Sequence, residues 1–259
     1  MKAKGKDSGQ RPSDLEAPGL TAHHLKAPNL KVSIVIPTLN EQGGIGPTLD
    51  SIDRAAFEAK GWELELLVID GASKDRTRQE AERRGARVVV EPRRGYGRAY
   101  KRGFAEATGD VLVTGDADGT YPFERAHEFV QALVDGRLDF VNCDRYGDLA
   151  KGAMSAKHRF GNWVLSSTAR VLFGIRLRDS QSGMWVIRRS ALPRLDAGRM
   201  AEGMAFSQEV KIEAIRRLDG RFKEIPAGLR PRIGTPVLAS WRDGLGNLRA
   251  LFSWRFRRR

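Results

Sequence analysis

The run Val111-Leu112-Val113-Thr114-Gly115-Asp116-Ala117-Asp118-Gly119 delivers two carboxylates, one residue apart, to the point where an apolar strand would end. Aspartates flanking a small residue can approach one hard cation, and Mg²⁺ or Mn²⁺ held by few carboxylates keeps coordination positions open for a diphosphate. Asp and Gly are also ordinary turn formers, so the same residues describe a polar turn after a strand. The segments on either side weigh toward the metal.

Short apolar runs at residues 32–36, 64–69, 88–90 and 140–143 repeat the strand-like pattern around 111–114. Helical spacing fills the gaps at 46–60, 76–84, 100–107 and 123–133, the last aligning Phe123, Ala126, Val130 and Leu133 on one face. The alternation predicts an α/β fold: a Rossmann-like, doubly wound, mostly parallel sheet with helices on both faces and ligands at the carboxyl ends of its strands. Beyond Arg145 the alternation fades, and a helical pattern resumes at 206–218.

The strand tips carry polar residues. The first strand ends in Pro37-Thr38-Leu39-Asn40-Glu41 and the second at Asp70, a carboxylate placed to accept hydrogen bonds from a base or a ribose hydroxyl. Asp75 precedes a helical stretch and reads as its cap. The third strand leads into Glu91-Pro92-Arg93-Arg94-Gly95-Tyr96-Gly97-Arg98-Ala99, where close backbone approach and a helix N-terminus favour an anion. It is no dehydrogenase fingerprint, because Tyr100 stands where the third glycine belongs, and no Gly-Lys-Ser/Thr follows for a Walker A loop.

Lys plus Arg total 45 against 32 Asp plus Glu in 259 residues, and the net charge of +13 points toward phosphate-bearing partners: nucleotides, nucleic acid or anionic lipid. Eight of the cations fall between Lys151 and Arg189, a stretch whose one acid, Asp179, should be drawn to arginines. The single cysteine, Cys143, sits in an apolar run and reads as a buried strand residue suited to a reducing cytoplasm. No apolar stretch reaches the roughly 18–20 residues needed to span a bilayer. Residues 1–29 lack apolar periodicity and read as a disordered tail in which the pair His23-His24 is incidental. Residues 30–240 are expected to fold as one α/β domain carrying the strand-tip site. In 241–259, Trp241, Leu245, Leu248, Leu251, Phe252, Trp254 and Phe256 interleave with arginines, describing either an interfacial amphipathic helix or a core-packing terminal helix with a solvated basic end.

Taken in order, Pro37-x-x-Asn40-Glu41, the Asp70 strand end, Gly95-Tyr96-Gly97-Arg98-Ala99, Asp116-Ala117-Asp118-Gly119, Asp179-Ser180-Gln181-Ser182-Gly183-Met184, Phe206-Ser207-Gln208-Glu209 and Arg230-Pro231-Arg232-Ile233-Gly234 resemble the family-2 glycosyltransferases of the GT-A fold, specifically the dolichyl-phosphate mannose and glucose synthase branch. The similarity runs from Lys31 to about Leu251. It implies a nucleotide-diphosphate sugar donor (GDP-mannose or UDP-glucose), a divalent metal (Mg²⁺ or Mn²⁺) and a polyprenyl or dolichyl phosphate acceptor. By the same resemblance Pro37, Asn40, Glu41 and Asp70 line the nucleoside pocket. Gly95, Gly97, Arg98 and Ala117 belong to the donor site, and Asp116 and Asp118 hold metal and diphosphate. Arg145 and Arg159 grip the acceptor phosphate, and Arg232 closes over the donor. Two positions depart from the branch: Asp70-Gly71 replaces a doubled Asp, and Gly234-Thr235-Pro236-Val237-Leu238 lacks the usual lysine.

A phosphate acceptor is already anionic near neutral pH and needs no strong base, so the remaining work is neutralising the departing diphosphate, with Arg98 or Arg232 beside the metal. Single displacement inverts the anomeric configuration. With a hydroxyl acceptor such as a glycerate, Glu209 is the candidate base; otherwise it is an exposed helix carboxylate paired with Lys211 or Arg216. Asp179 orders the acceptor loop. The basic stretch and tail suit a peripheral protein at an anionic membrane surface on the cytoplasmic side. A non-enzymatic nucleic-acid-binding module is the alternative outside catalysis, though no zinc-ligand spacing or RRM signature accompanies the charge, so no specific nucleic acid is expected.

Overall fold

The computed structural model describes residues 29–234 and 240–256, with side chains of the second stretch from Gly244 onward. The tail with His23 and His24, and Thr235 to Leu238, lie outside the described residues. Its frame is a seven-stranded sheet in the order β3-β2-β1-β4-β6-β5-β7, built from β1 (Lys31–Thr38), β2 (Glu63–Asp70), β3 (Arg87–Val90), β4 (Val111–Thr114), β5 (Phe140–Asp144), β6 (Trp185–Arg188) and β7 (Phe222–Pro226). β1, β2, β3 and β4 run parallel, as do β5 and β7, whereas β6 is antiparallel to both β4 and β5. The predicted doubly wound, mostly parallel architecture is thus present, with one reversed strand between its halves.

Helices α1 (Ile45–Asp50), α2 (Arg54–Ala59), α3 (Thr77–Glu82), α4 (Tyr96–Glu106), α5 (Ala126–Asp135), α6 (Ala156–Phe173), α7 (Phe206–Arg217) and α8 (Ser240–Phe256) complete the described chain. The side-chain alternation of a strand divides the core. Val32, Ile34 and Ile36 face Ile45, Phe57, Phe129 and Val130 on one side of the sheet. Val35 and Leu112 face Tyr100, Phe104, Phe206 and Val210 on the other. A third cluster joins Leu165 and Ala169 of α6, Ile212 of α7 and Leu251 of α8. Among the described residues, no helix is long and apolar enough to cross a membrane.

Three expectations about helices need correction. The stretch 46–60 is two helices, because Asp53 accepts from the Ala56 N–H at 3.0 Å and starts a new one. The helix expected from Tyr100 begins at Tyr96, so Gly97, Arg98 and Ala99 lie inside its first turns. The stretch after Arg145 holds an 18-residue helix, α6, started by Ser155, whose hydroxyl accepts from His158 N–H, and ended by Gly174 at φ 64°.

Candidate active site

The carboxyl ends of β1, β2 and β4 converge, and β1 pairs with both neighbours, Thr38 opposite Asp70 and Val35 opposite Thr114. Past Thr114 the chain turns through Asp116 and Asp118. The Asp118 side chain is buried, and one of its oxygens accepts from the Thr120 N–H (3.1 Å) and hydroxyl (2.7 Å). The other takes the Arg232 Nη1 at 2.5 Å. Arg232 Nη2 pairs with Glu41, so one guanidinium ties the tip of β1 to the aspartate turn after β4. Its Nε is buried and has no acceptor, an arrangement that costs about 1–3 kcal/mol unless another group arrives.

Asp116 is half-buried beside the Tyr96 hydroxyl, which donates to Oδ1 at 3.3 Å. Burial, then the nearby Asp118 charge, pushes its pKa up to about 7. Gly183 lies against it, because a Cβ there would meet Asp116 Oδ2 at 3.1 Å. That glycine ends the segment Asp179–Gly183, which is held from below. Lys211 is fully buried and donates to the carbonyls of Ser180 (2.9 Å) and Ser182 (2.5 Å), and burial lowers its pKa to about 7. Tyr121 accepts the Gly183 N–H at 2.6 Å. Tyr121 did not figure in the sequence reading, Tyr96 figured only as part of the glycine-rich motif, and Lys211 only as a partner for Glu209; the unusual Lys211 within a helix of apolar spacing was the available signal.

Asp179 is where its lone negative charge predicts. It accepts from Arg145 through Nε and Nη2, both at 2.7 Å, and from the Arg145 backbone N–H at 3.1 Å. Burial raises its pKa, but the charge and hydrogen bonds of Arg145 outweigh that and hold the carboxyl below its ordinary value. Arg145 therefore meets Asp179 with one edge, leaving Nη1 outside the pair.

On the β1–β2 side, Asn40 adopts φ 54°, which Asn tolerates. Its backbone N–H donates to Ser73 Oγ at 2.8 Å, and its Oδ1 accepts from Lys74 N–H at 2.9 Å. Pro37 is half-buried in β1. Asp70, expected to reach a ligand directly, is fully buried: Oδ2 accepts from Ser73 N–H at 2.9 Å and Oδ1 lies 3.4 Å from the Thr38 hydroxyl. It fixes the turn after β2. Asp75 lies one residue before the cap position of α3, which is Arg76, and still accepts from the Thr77 N–H at 3.0 Å and from Gln42 N–H at 3.2 Å.

In the glycine-rich stretch 95–99, two of the N–H groups expected to face an anion already have backbone partners. The Gly97 and Arg98 N–H groups donate to the carbonyls of Gly203 (3.3 Å) and Glu202 (3.0 Å), which occupies both. A Cβ on Gly95 or Gly97 would strike the Glu202 or Ala201 carbonyl, so the close approach these glycines permit is by the chain's own backbone. Arg98 faces Glu202 at 3.4 Å. Of the two readings of Glu209, the exposed helix carboxylate is corrected: it is buried, and its carboxylate accepts from Ala201 N–H at 2.6 Å, bracing the same loop. Lys211 and Arg216 bond elsewhere, Arg216 to Glu213. Arg159 is exposed on α6. The structure thus unites Glu41, Asp118 and Arg232, with Asp116 alongside; Ala117 is buried with its carbonyl against Gly44.

This fold, with paired aspartates after a central strand, is that of the GT-A glycosyltransferases. Residues 33–195 match the model of glycosyl transferase family 2, and the chain belongs to that family. It is 35% identical over 252 residues to the low-salt glycan biosynthesis hexosyltransferase Agl6 of Haloferax volcanii, covering 95% of this chain and 59% of that protein. The chain therefore spans under two thirds of that relative's length. It is 33% identical over 215 residues to the dolichyl-phosphate hexose transferase of the same organism, covering 82% of this chain and 89% of that protein. Among solved structures, glucosyl-3-phosphoglycerate synthase from Mycobacterium tuberculosis in complex with phosphoglyceric acid superposes with a TM-score of 0.70 at 25% identity, covering 87% of this chain and 80% of that one. The same enzyme with Mn²⁺, UDP-glucose and phosphoglyceric acid gives 0.65 at 26% identity, covering 87% and 79%.

Proposed function

We propose that this chain transfers a hexose from a nucleotide-diphosphate sugar, GDP-mannose or UDP-glucose, to a polyprenyl or dolichyl phosphate at an anionic membrane surface, inverting the anomeric carbon. The observation that carries the reading is the meeting of Asp116, Asp118, Arg232 and Glu41 at the carboxyl ends of β1 and β4 in a family-2 chain.

The donor set suits Mg²⁺ or Mn²⁺. Asp116 is a half-buried carboxyl beside Asp118, its pKa raised by burial and then by that neighbour's charge, and two carboxylates leave positions for diphosphate and water. The likeness to an enzyme solved with Mn²⁺ and UDP-glucose supports this. Held by Asp116 and Asp118, the cation supplies charge neutralisation for the departing diphosphate. Arg232 adds a second positive group beside the same leaving group. Asn40, Pro37 and Glu41 border the nucleoside, with Asp70 fixing the turn behind them. Arg145, through the edge that Asp179 does not hold, and Arg159 take the acceptor phosphate. The phosphate oxygen attacks without prior deprotonation, consistent with Glu209 being engaged by Ala201.

A membrane acceptor is supported by the surface of α6 and α8. Phe160, Trp163 and Val171 on α6 and Leu245, Phe252 and Phe256 on α8 are exposed. Exposed Lys157, Arg159, Arg170, Arg249 and Arg255 lie on the same two helices, a pairing of apolar and cationic groups suited to an anionic bilayer. A groove of about 350 Å³ between the helices, lined by Phe160, Val164, Leu165, Leu245 and Leu248, suits hydrocarbon. The dolichyl-phosphate hexose transferase relative favours the same acceptor. A second reading, a soluble phosphoglycerate-like acceptor, is favoured by the likeness to the synthase solved with phosphoglyceric acid.

The test is nucleotide release from UDP-glucose and GDP-mannose with Mg²⁺ or Mn²⁺, in the presence of polyprenyl phosphate, 3-phosphoglycerate or neither. Release that requires the lipid supports the proposal. Release that requires 3-phosphoglycerate establishes the second reading, and no acceptor-dependent release defeats both.

A further inference from the structure

Both oxygens of Asp118 are committed, but to partners of different permanence. Thr120 lies two residues away in the same turn, so its two hydrogen bonds are local and travel with the aspartate. Arg232 comes from 114 residues away. Its segment is joined to the turn by the Ile233 N–H, which donates to the Asp118 carbonyl at 2.8 Å, and is followed by Gly234 at φ 86°. The guanidinium is 28% exposed, bridges a second acid at Glu41, and carries a buried Nε without an acceptor. A guanidinium that bridges two acids and carries an unfilled buried donor has a second way to pair if an anion reaches it.

We infer that Arg232 is a counter-ion latch on Asp118. The guanidinium holds the Asp118 Oδ2 that a divalent cation would need, and the latch is this pairing. The latch opens when a nucleotide diphosphate offers Arg232 anionic oxygens: the guanidinium keeps Glu41, its Nη1 and Nε turn to the diphosphate, and Asp118 Oδ2 passes to the cation. Two positive groups cannot share that oxygen without strong repulsion at such short range. Metal and nucleotide therefore bind cooperatively through Arg232, beyond the direct attraction of cation and diphosphate, and by linkage each tightens the other. The positioning role of Arg232 is to hold the site closed to a bare cation and to admit it with the donor. This rests on the nucleotide-sugar reading above.

The test is Mn²⁺ binding to the full chain, followed by electron paramagnetic resonance of the free ion, without nucleotide and then with UDP or GDP. Arg232→Ala should bind Mn²⁺ alone about tenfold tighter than the natural protein, the scale set by losing one competing charge-assisted hydrogen bond. It should also gain less from nucleotide than the natural protein does. A merely structural Arg232 would lower both affinities. Arg232→Lys, which keeps the charge but cannot span both acids, should fall between, and it serves if the alanine variant melts early. Mn²⁺ affinity of both variants equal to or weaker than the natural protein's without nucleotide overturns the latch while leaving the donor reading intact. Failure of the natural protein to take up Mn²⁺ even with UDP and GDP defeats both.

Discussion

Arg145 grips both carboxylate oxygens of Asp179 at 2.7 Å, and the Asp179 side chain is wholly shielded from solvent. Removing one partner strands a nearly buried guanidinium, which typically costs about 3–5 kcal/mol. Asp179→Ala should lose that much in urea unfolding at pH 7, and Asp179→Asn less. Because the folded carboxyl titrates below its unfolded value, the stabilisation is complete above roughly pH 4 and is lost as pH falls further. A loss under about 1 kcal/mol would mean that the pair contributes little net energy.

Asp116 predicts the opposite pH dependence. Its folded pKa of about 7 lies above the ordinary aspartate value, so the folded protein keeps a proton that the unfolded chain releases, and stability falls as pH rises from about 4 to 7. Asp116→Asn removes that penalty. Its melting temperature should match the natural protein's below pH 4 and exceed it above pH 7, by the equivalent of about 1–2 kcal/mol after discounting for partial exposure. Sugar transfer should collapse in the same variant.

Two glycines within helices should respond oppositely to alanine. At Gly97 a Cβ runs into the Ala201 carbonyl and the Phe206 side chain, so Gly97→Ala should destabilise by about 1–3 kcal/mol. At Gly161 in α6 a Cβ meets nothing within 4 Å, and Gly161→Ala should stabilise by about 0.5–1 kcal/mol through helix propensity. Thermal melts of the two variants side by side check the close packing of α4 against the 200–206 loop.

The exposed rings of Phe160 and Trp163, 6.0 Å apart and stacked, give a surface test of membrane docking. Phe160→Ser with Trp163→Ser should leave the melting temperature within a few degrees, since both are exposed. Co-sedimentation with phosphatidylserine vesicles should fall several-fold, and high salt should weaken what remains. Undiminished vesicle binding by the double variant would place membrane contact elsewhere.

Strands β1, β2 and β4 were legible as written because nearly every core-facing residue in them is apolar, and the polar residues at their tips have no other place to go. Reading failed where the chain satisfies itself with distant partners. Gly95 and Gly97 look like a phosphate cradle, yet the groups they let approach are the Ala201 and Glu202 carbonyls. Glu209 and Lys211 look solvent-facing on a helix, yet both are buried because Ala201 N–H and the Ser180 and Ser182 carbonyls complete them. β6 escaped notice because four residues with no turn signal of a hairpin insert antiparallel between β4 and β5.

Local chemistry was enough to announce an α/β chain with acids at the end of a central strand and an isolated Asp179 seeking arginine, since apolar runs, turn residues and charge imbalance act over a few residues. Which arginine reaches which acid depended on closure of the fold. Arg232 lies 114 residues from Asp118 and 191 from Glu41, and only the converging carboxyl ends of β1 and β4 bring three such groups within hydrogen-bonding distance. Charge decides that they attract, but chain topology decides that they meet.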